Sequence, residues 1–244
     1  MNKILSQEEY KNLFLNGTEC VKRECYADYI SQRLAEEFGM IYNCKAKCWH
    51  SEWNNNWRFV AELHELKGNH IVLRWGYNYD FIPDITNQKK LVWRRTDKSI
   101  KIHIDDAWYN HIDYDCDQEW GFSEREFYNP EQCPFFQYAI PTCSSDVNFA
   151  LGYIKNVIDK NIILMHDWKE NVKTLDDAID IMNQRVLGKD VIHIPRMHYI
   201  LAFLFAKNKN MVNSMSALEK YYDEREIPSI LLKKINQLAT EQDC

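Results

Sequence analysis

The feature that most constrains the fold is an alternation of apolar and polar residues on both sides of Lys67-Gly68-Asn69. The apolar positions are Trp57, Phe59, Ala61 and Leu63 before this loop and Ile71, Leu73, Trp75 and Tyr77 after it. Successive side chains of a strand point to opposite faces, so a three-residue loop sets apolar against apolar, whereas a two-residue loop would set apolar against polar. The pattern therefore predicts an antiparallel hairpin in which Leu63 lies opposite Leu73 and Glu62 lies opposite Arg74.

Further strands are predicted on either side of this hairpin. Tyr42, Cys44, Ala46 and Cys48 alternate with polar residues, which predicts one half-buried strand over residues 42–48. A second hairpin is predicted with Leu91 and Trp93 opposite Ile104 and Ile102 and a turn near Asp97-Lys98. Between residues 105 and 143, we predict one strand at about 108–116 followed by irregular structure.

The two ends of the chain show helical periodicity instead. Ser6 and Glu9 form a capping box, and a second helix is predicted from about Glu19 to Phe38, ended by Gly39. From Ser145 onward the apolar spacing is three or four residues. It predicts a helix starting near Val147, one from Thr174 to Gly188, a buried one opening at Pro195, and two shorter ones at about 214–223 and 228–240.

These patterns predict an α+β fold. It has N-terminal helices, a mostly antiparallel meander sheet of about five strands, and a helical C-terminal half. The chain contains no repeat and no Gly/Ser linker, so we predict one domain over residues 1–244. Within it, a sheet-rich part (1–143) and a helical part (144–244) meet at a subdomain boundary near residue 143.

Composition narrows the classes of function. The formal charge of −6 argues against a nucleic-acid binder, which normally presents a basic face. No segment is apolar enough to predict a membrane span or a signal peptide, so we expect a cytoplasmic protein. Its eight cysteines include no C-x-x-C pair and are expected to stay thiols.

An acidic segment from Asp113 to Glu124 is the most suggestive chemical motif. Asp113, Asp115, Asp117 and Glu124 occupy the first, third, fifth and twelfth positions of a loop, as the carboxylates of an EF-hand calcium loop do. Gln118 stands where that loop requires glycine, and the residues before Asp113 have a strand pattern rather than a helical one. We therefore favour a solvated acidic surface over a divalent-ion site.

A second group consists of His103, Asp105, Asp106 and His111. Imidazole and carboxylate groups supply general bases and metal ligands, which makes His103, Asp105 and His111 the candidate catalytic residues. In the predicted hairpin, His103 points away from the apolar row Ile100, Ile102 and Ile104. A solvated sheet face is therefore the simpler interpretation.

Two weaker patterns have structural explanations. Cys44-x-x-x-Cys48-x-His50 superficially resembles a metal loop, but on a strand Cys44 and Cys48 would share the inward face, where thiols act as small hydrophobes. A basic sheet face could be formed by the positions Lys45, Lys47, Arg58, Arg74, Arg94, Arg95, Lys98 and Lys101. We favour ordinary cross-strand ion pairing for them.

The sequence contains no P-loop, no G-x-G-x-x-G and no G-x-S-x-G motif, and it has only seven glycines. These patterns favour a non-catalytic cytoplasmic binding protein with a protein partner and no cofactor. An immunity-type or regulatory protein is one form of it. The alternative is a metal-dependent hydrolase that uses the Asp- and His-rich segment 103–124.

Overall fold

The computed structural model describes residues 5–66, 70–96, 98–107, 135–187 and 194–241. The chain divides into two compact units. The first contains the described residues of Met1–Glu52, Phe59–Gly76 and Asp105–Asp167, and the second those of Trp53–Arg58, Tyr77–Ile104 and Trp168–Cys244. The single domain with a boundary near residue 143 stays a prediction.

Strands occupy the centre of the sequence, and helices lie at its two ends. The strands are β1 (Glu19–Cys20), β2 (Ile41–Asn43), β3 (Cys48–His50), β4 (Trp57–Leu66), β5 (His70–Tyr79), β6 (Asp84–Ile85), β7 (Leu91–Val92), β8 (Arg95–Thr96), β9 (Ser99–Ile100), β10 (Ile104–Asp106), β11 (Ile140–Pro141) and β12 (Cys143–Ser144). The helices are α1 (Gln7–Tyr10), which continues as a π-helical turn (Lys11–Leu15), α2 (Glu24–Phe38), α3 (Phe135–Tyr138), α4 (Val147–Asn171), α5 (Leu175–Leu187), α6 (Ile194–Lys207), α7 (Met211–Tyr222) and α8 (Ser229–Thr240).

The main sheet has the strand order β10-β5-β4-β3-β2, and β11 also pairs with β5. β2, β3 and β4 are antiparallel neighbours, and a three-residue connection joins β4 to β5. The predicted ion pair between Glu62 and Arg74 is present, with Arg74 also 3.3 Å from Asp105. The predicted α+β class, with an antiparallel sheet and a helical C-terminal half, is therefore confirmed.

The alternation in β5 is misleading about burial. Ile71, Leu73, Trp75 and Tyr77 are buried as predicted, but Val72 and Asn78 on the other face are buried as well. Every residue of β5 except the half-buried Arg74 is buried, so both faces of this strand are covered. The alternation of apolar and polar residues along β5 therefore shows which side chains share a face, and it does not show that one face is exposed to solvent.

The predicted strand over residues 42–48 is wrong, because the segment is a hairpin. β2 and β3 pair with each other, Ile41 with His50 and Asn43 with Cys48. The Asn43 side chain accepts hydrogen bonds from the Lys45 and Ala46 amides, both at 3.0 Å. An asparagine that bonds the following backbone in this way favours a turn over a strand.

The second predicted hairpin is correct only at its tip. β8 pairs with β9, Arg95 with Ile100 and Thr96 with Ser99, which is the predicted register around residues 97 and 98. The predicted pair of Leu91 with Ile104 does not form, since Leu91 pairs with Ile85 and Ile104 joins the main sheet beside β5. Register propagates only while the same two segments remain neighbours.

Local helix signals are largely correct. The Ser6–Glu9 capping box is present, a second one joins Thr174 to Asp177, and Gly39 ends α2 in the left-handed conformation. The second helix begins at Glu24 and not at Glu19, because residues 19–20 form β1. In the second unit, α5, α7 and α8 all pack against α6.

β1 pairs with β12, Glu19 with Ser144 and Cys20 with Cys143. Gly17 lies directly against this ladder, since a Cβ atom there would be 2.4 Å from the Ser144 carbonyl carbon. The turn before β1 therefore requires a residue without a side chain.

Among the residues that the structure describes, no helix is long and apolar enough to cross a membrane.

Candidate functional site: a basic cavity around His103

A cavity of about 230 Å³ lies within the second unit. Its walls come from the segment after β5, from β6, from the chain between β9 and β10, and from α6 and α7. The lining residues are Ile82, Asp84, Ile85, Lys101, His103, Arg196, Tyr199, Ile200 and Tyr221. The lining therefore combines apolar and aromatic side chains with charged ones.

Helix α6 holds the walls together. Arg196, Tyr199 and Ile200 are three and four residues apart, so one face of the helix presents all three. The Arg196 Nη2 atom donates to the Ile102 carbonyl at 3.0 Å, and the Tyr199 hydroxyl donates to the Pro83 carbonyl at 2.7 Å. Two irregular segments are thereby attached to one rigid helix.

His103 is buried in the wall, with 4% of its surface exposed, although its position in the predicted hairpin indicates a solvated residue. The Tyr79 amide donates to the Nδ1 atom at 2.9 Å, and the Ile82 backbone also hydrogen-bonds the ring. Burial, reinforced by the positive charge of Lys101, lowers the pKa of His103 from 6.5 to about 3. The imidazole is therefore neutral at pH 7, with its proton on Nε2.

Asp84 is the carboxylate of the cavity. Lys101 forms an ion pair with one of its oxygens, and Arg94 lies 3.4 Å from the other. Burial raises the pKa of Asp84, but the hydrogen bond and charge of Lys101 and the hydrogen bond of Arg94 outweigh it and hold this pKa below its usual range. Asp84 thus remains ionised, and its charge is already matched.

Positive charge is in excess at this site. Burial lowers the pKa of Lys101, the hydrogen bond to Asp84 offsets this only in part, and the neighbouring charge of Arg196 lowers it further. Arg196 forms no ion pair with any residue that the structure describes, and its one hydrogen bond within that part goes to a neutral carbonyl. The Tyr221 hydroxyl makes no hydrogen bond there either. Both side chains therefore have N–H or O–H groups that donate no hydrogen bond to a described residue.

The other predicted site residues do not belong to this cavity. Asp105 pairs with Arg74 in the first unit, and the buried Asp106 accepts a hydrogen bond from the Ala107 amide at 3.0 Å. The remaining candidates, His111, Asp113, Asp115, Asp117 and Glu124, lie outside the described residues. Within the described part of the chain, no three His, Cys, Asp or Glu side chains are grouped as they would be to hold a metal ion.

The Cys44–Cys48–His50 pattern does not form a cluster. Cys44 is exposed in the turn after β2, Cys48 is buried in β3, and the His50 ring bonds the Ser51 carbonyl at 3.0 Å.

Most cationic side chains of the predicted basic face form hydrogen bonds or ion pairs within the protein. Arg58, for example, is buried and donates to Asn78 and to the Arg95 carbonyl, each at 3.1 Å.

Sequence reasoning missed Arg196, Tyr199 and Tyr221. The one signal that marks Arg196 is its place as a single cation near the start of an otherwise apolar helix. Nothing in the sequence indicates that α6 and α7 approach Lys101 and Asp84.

No protein-family model, curated protein or solved structure matches this chain.

Proposed function

We propose that this chain is a non-catalytic cytoplasmic binding protein that acts through a protein partner and binds neither nucleic acid nor membrane. The observation that carries the proposal is the state of His103. A general base needs a pKa near the working pH and a free nitrogen facing the substrate. The His103 ring has a pKa of about 3 and bonds backbone through Nδ1. It supports the cavity wall and is poorly suited to proton transfer.

The edge of the main sheet supports a protein as the partner. β2 is the last strand on its side of the order, so its outer edge pairs with no strand that the structure describes. Ile41 is 57% exposed and Tyr42 is 44% exposed, although both are large and apolar. An unpaired edge with exposed apolar side chains suits a partner that adds a strand.

An immunity-type protein is one concrete form of this proposal. Such a protein covers the active site of a basic toxin such as a nuclease, and a net charge of −6 favours association with that surface. For the alternative, a metal-dependent hydrolase using residues 103–124, no described contact adds support. Retention of a divalent ion by the chain after extensive dialysis would favour that alternative.

Placing a photo-crosslinking amino acid at Tyr42 is expected to yield a covalent adduct with another protein when the chain is expressed in its native cells. The matched control is Val212, which is 81% exposed on α7 and far from β2 in the chain. Adducts are identified by mass spectrometry. No heterologous adduct at Tyr42, or the same adducts from both positions, would contradict the proposed partner surface.

A further inference from the structure

We propose that the cavity of the second unit binds the oxyanion head group of a small organic acid or phosphate monoester. This inference goes beyond the protein partner proposed above and does not depend on it.

The charge balance selects an anion. Lys101 and Arg196 both line the cavity against the single carboxylate of Asp84, and Arg94 pairs with that carboxylate from outside the lining. A cation would be repelled by the Arg196 guanidinium, whose charge no described residue pairs, whereas an anion would form an ion pair with it. Arginine presents a planar set of donors that matches carboxylate and phosphate oxygens.

Unused donors supply the hydrogen bonds. Within the described residues, the Arg196 guanidinium donates one hydrogen bond, to the Ile102 carbonyl, and the Tyr221 hydroxyl forms none. Both residues line the same cavity. An oxyanion placed there would accept from the two side chains at once, and hydrogen bonds to charged groups are the stronger ones.

The size of the cavity limits the ligand. Its volume of about 230 Å³ is below the range of about 300–1,000 Å³ that is usual for drug-sized ligands. A dinucleotide is therefore too large. The apolar lining residues Ile82, Ile85 and Ile200 suit a short apolar body attached to the charged head.

The test is calorimetric titration of the full chain at pH 7 and constant ionic strength, with inorganic phosphate and with acetate as the two probes. We expect one saturable site for at least one probe. Tighter binding of phosphate would identify a phosphate monoester as the ligand, and tighter binding of acetate would identify a carboxylate.

Arg196→Gln is expected to weaken this binding about tenfold or more, because it removes a charged donor. Tyr221→Phe removes only the hydroxyl and is expected to weaken binding about threefold to tenfold. Lys233→Gln is the control, since it removes the same charge from an exposed position on α8 outside the cavity lining. Circular dichroism verifies that each variant is folded. Absence of saturable binding by the parent, or an equal loss in Lys233→Gln, would overturn the proposal.

A separate observation concerns Cys20 and Cys143, which are direct partners in the β1–β12 ladder of the first unit. The Val21 amide donates to the Thr142 carbonyl at 2.8 Å, so the adjacent position in this antiparallel register is a hydrogen-bonded pair. Because hydrogen-bonded and non-hydrogen-bonded pairs alternate, Cys20 and Cys143 occupy a non-hydrogen-bonded pair. Such pairs hold their Cα atoms about 4.5 Å apart, within the range that a disulfide spans.

The geometry points to a disulfide-forming pair at this position. Cys20 is exposed and Cys143 is half-buried, so a small oxidant reaches the first thiol. With glutathione disulfide as the oxidant, the Cys20 thiolate attacks one glutathione sulfur and releases the other glutathione as a thiol. Cys143 then displaces the second glutathione. The protein loses two protons and two electrons, and one glutathione disulfide becomes two thiols.

Treatment of the native protein with glutathione disulfide is expected to give a Cys20–Cys143 bond, detected by peptide mapping without reductant and reversed by dithiothreitol. The bond closes a long loop of chain and is expected to raise the Tm. Cys25→Ser is the control, because Cys25 is exposed but lies on α2 outside the pair, and it should leave the bond intact. Cys20→Ser should leave Cys143 as a free thiol or a glutathione adduct. A bond between other cysteines, or only glutathione adducts in the parent, would refute the pair.

Discussion

Replacing Leu204 with alanine is expected to lower the free energy of unfolding by about 2–5 kcal/mol. Leu204 lies on α6 with 0% of its surface exposed, and α6 packs against α5, α7 and α8. Removing its side-chain carbons loses hydrophobic burial and leaves a cavity that close-packed neighbours only partly fill. Total stabilities are about 5–15 kcal/mol, so the loss is a large fraction of the whole.

Urea denaturation followed by circular dichroism measures this change. Val212→Ala is the matched control, because it also removes apolar carbons from a helix of the second unit but from an exposed side chain, and it should stay within about 0.5 kcal/mol of the parent. Leu204→Met keeps most of the volume and should cost less than about 1.5 kcal/mol. A Leu204→Ala variant as stable as the parent would place α6 outside the core.

Acidification from pH 7 to pH 4 is expected to cost the folded protein about 3 kcal/mol through His103 alone. The folded pKa is about 3, whereas the ordinary value is 6.5. The unfolded chain therefore binds a proton in this window that the folded chain excludes, so stability rises with pH. The contribution is fully present above pH 6.5 and is lost progressively as the pH falls toward 3.

Urea denaturation at a series of pH values tests this contribution. His103→Asn keeps an oxygen able to accept the Tyr79 amide hydrogen but cannot be protonated, so its stability should fall less steeply with acid than that of the parent. The matched variant is His64→Gln, which removes an exposed histidine from β4, so a change in slope specific to His103→Asn reports on the buried ring. Parallel loss of stability in the parent and in His103→Asn would show that the ring is not buried in its neutral form.

The two proposed binding surfaces follow from different physical features. At β2, the unpaired strand edge and the exposed Ile41 and Tyr42 suit an extended polypeptide. In the cavity, the charge of Arg196 and the limited volume suit a small anion. Because β2 lies in the first unit and the cavity in the second, variants at Tyr42 and Arg196 test the two activities independently.

The sequence by itself determined the features that depend on neighbouring residues. The β4–β5 hairpin with its Glu62–Arg74 pair, the capping boxes and the glycine end of α2 all follow from short-range rules of pleat, turn and cap. The buried character of α6 follows from the lack of a polar face. At residues 42–48 a competing local signal outweighs the alternation, because the Asn43 side chain accepts two backbone hydrogen bonds and favours a turn.

Only the tertiary structure decided which distant segments meet. His103 follows the alternation of a solvated strand, yet it is buried and its Nδ1 atom accepts the Tyr79 amide hydrogen. The cavity joins Asp84, Lys101, Arg196 and Tyr221, which are separated by up to more than half of the chain. Cys20 and Cys143 likewise become partners only when β1 and β12 pair. Periodicity reports which face of an element is apolar, and it carries no information about which other element will cover that face.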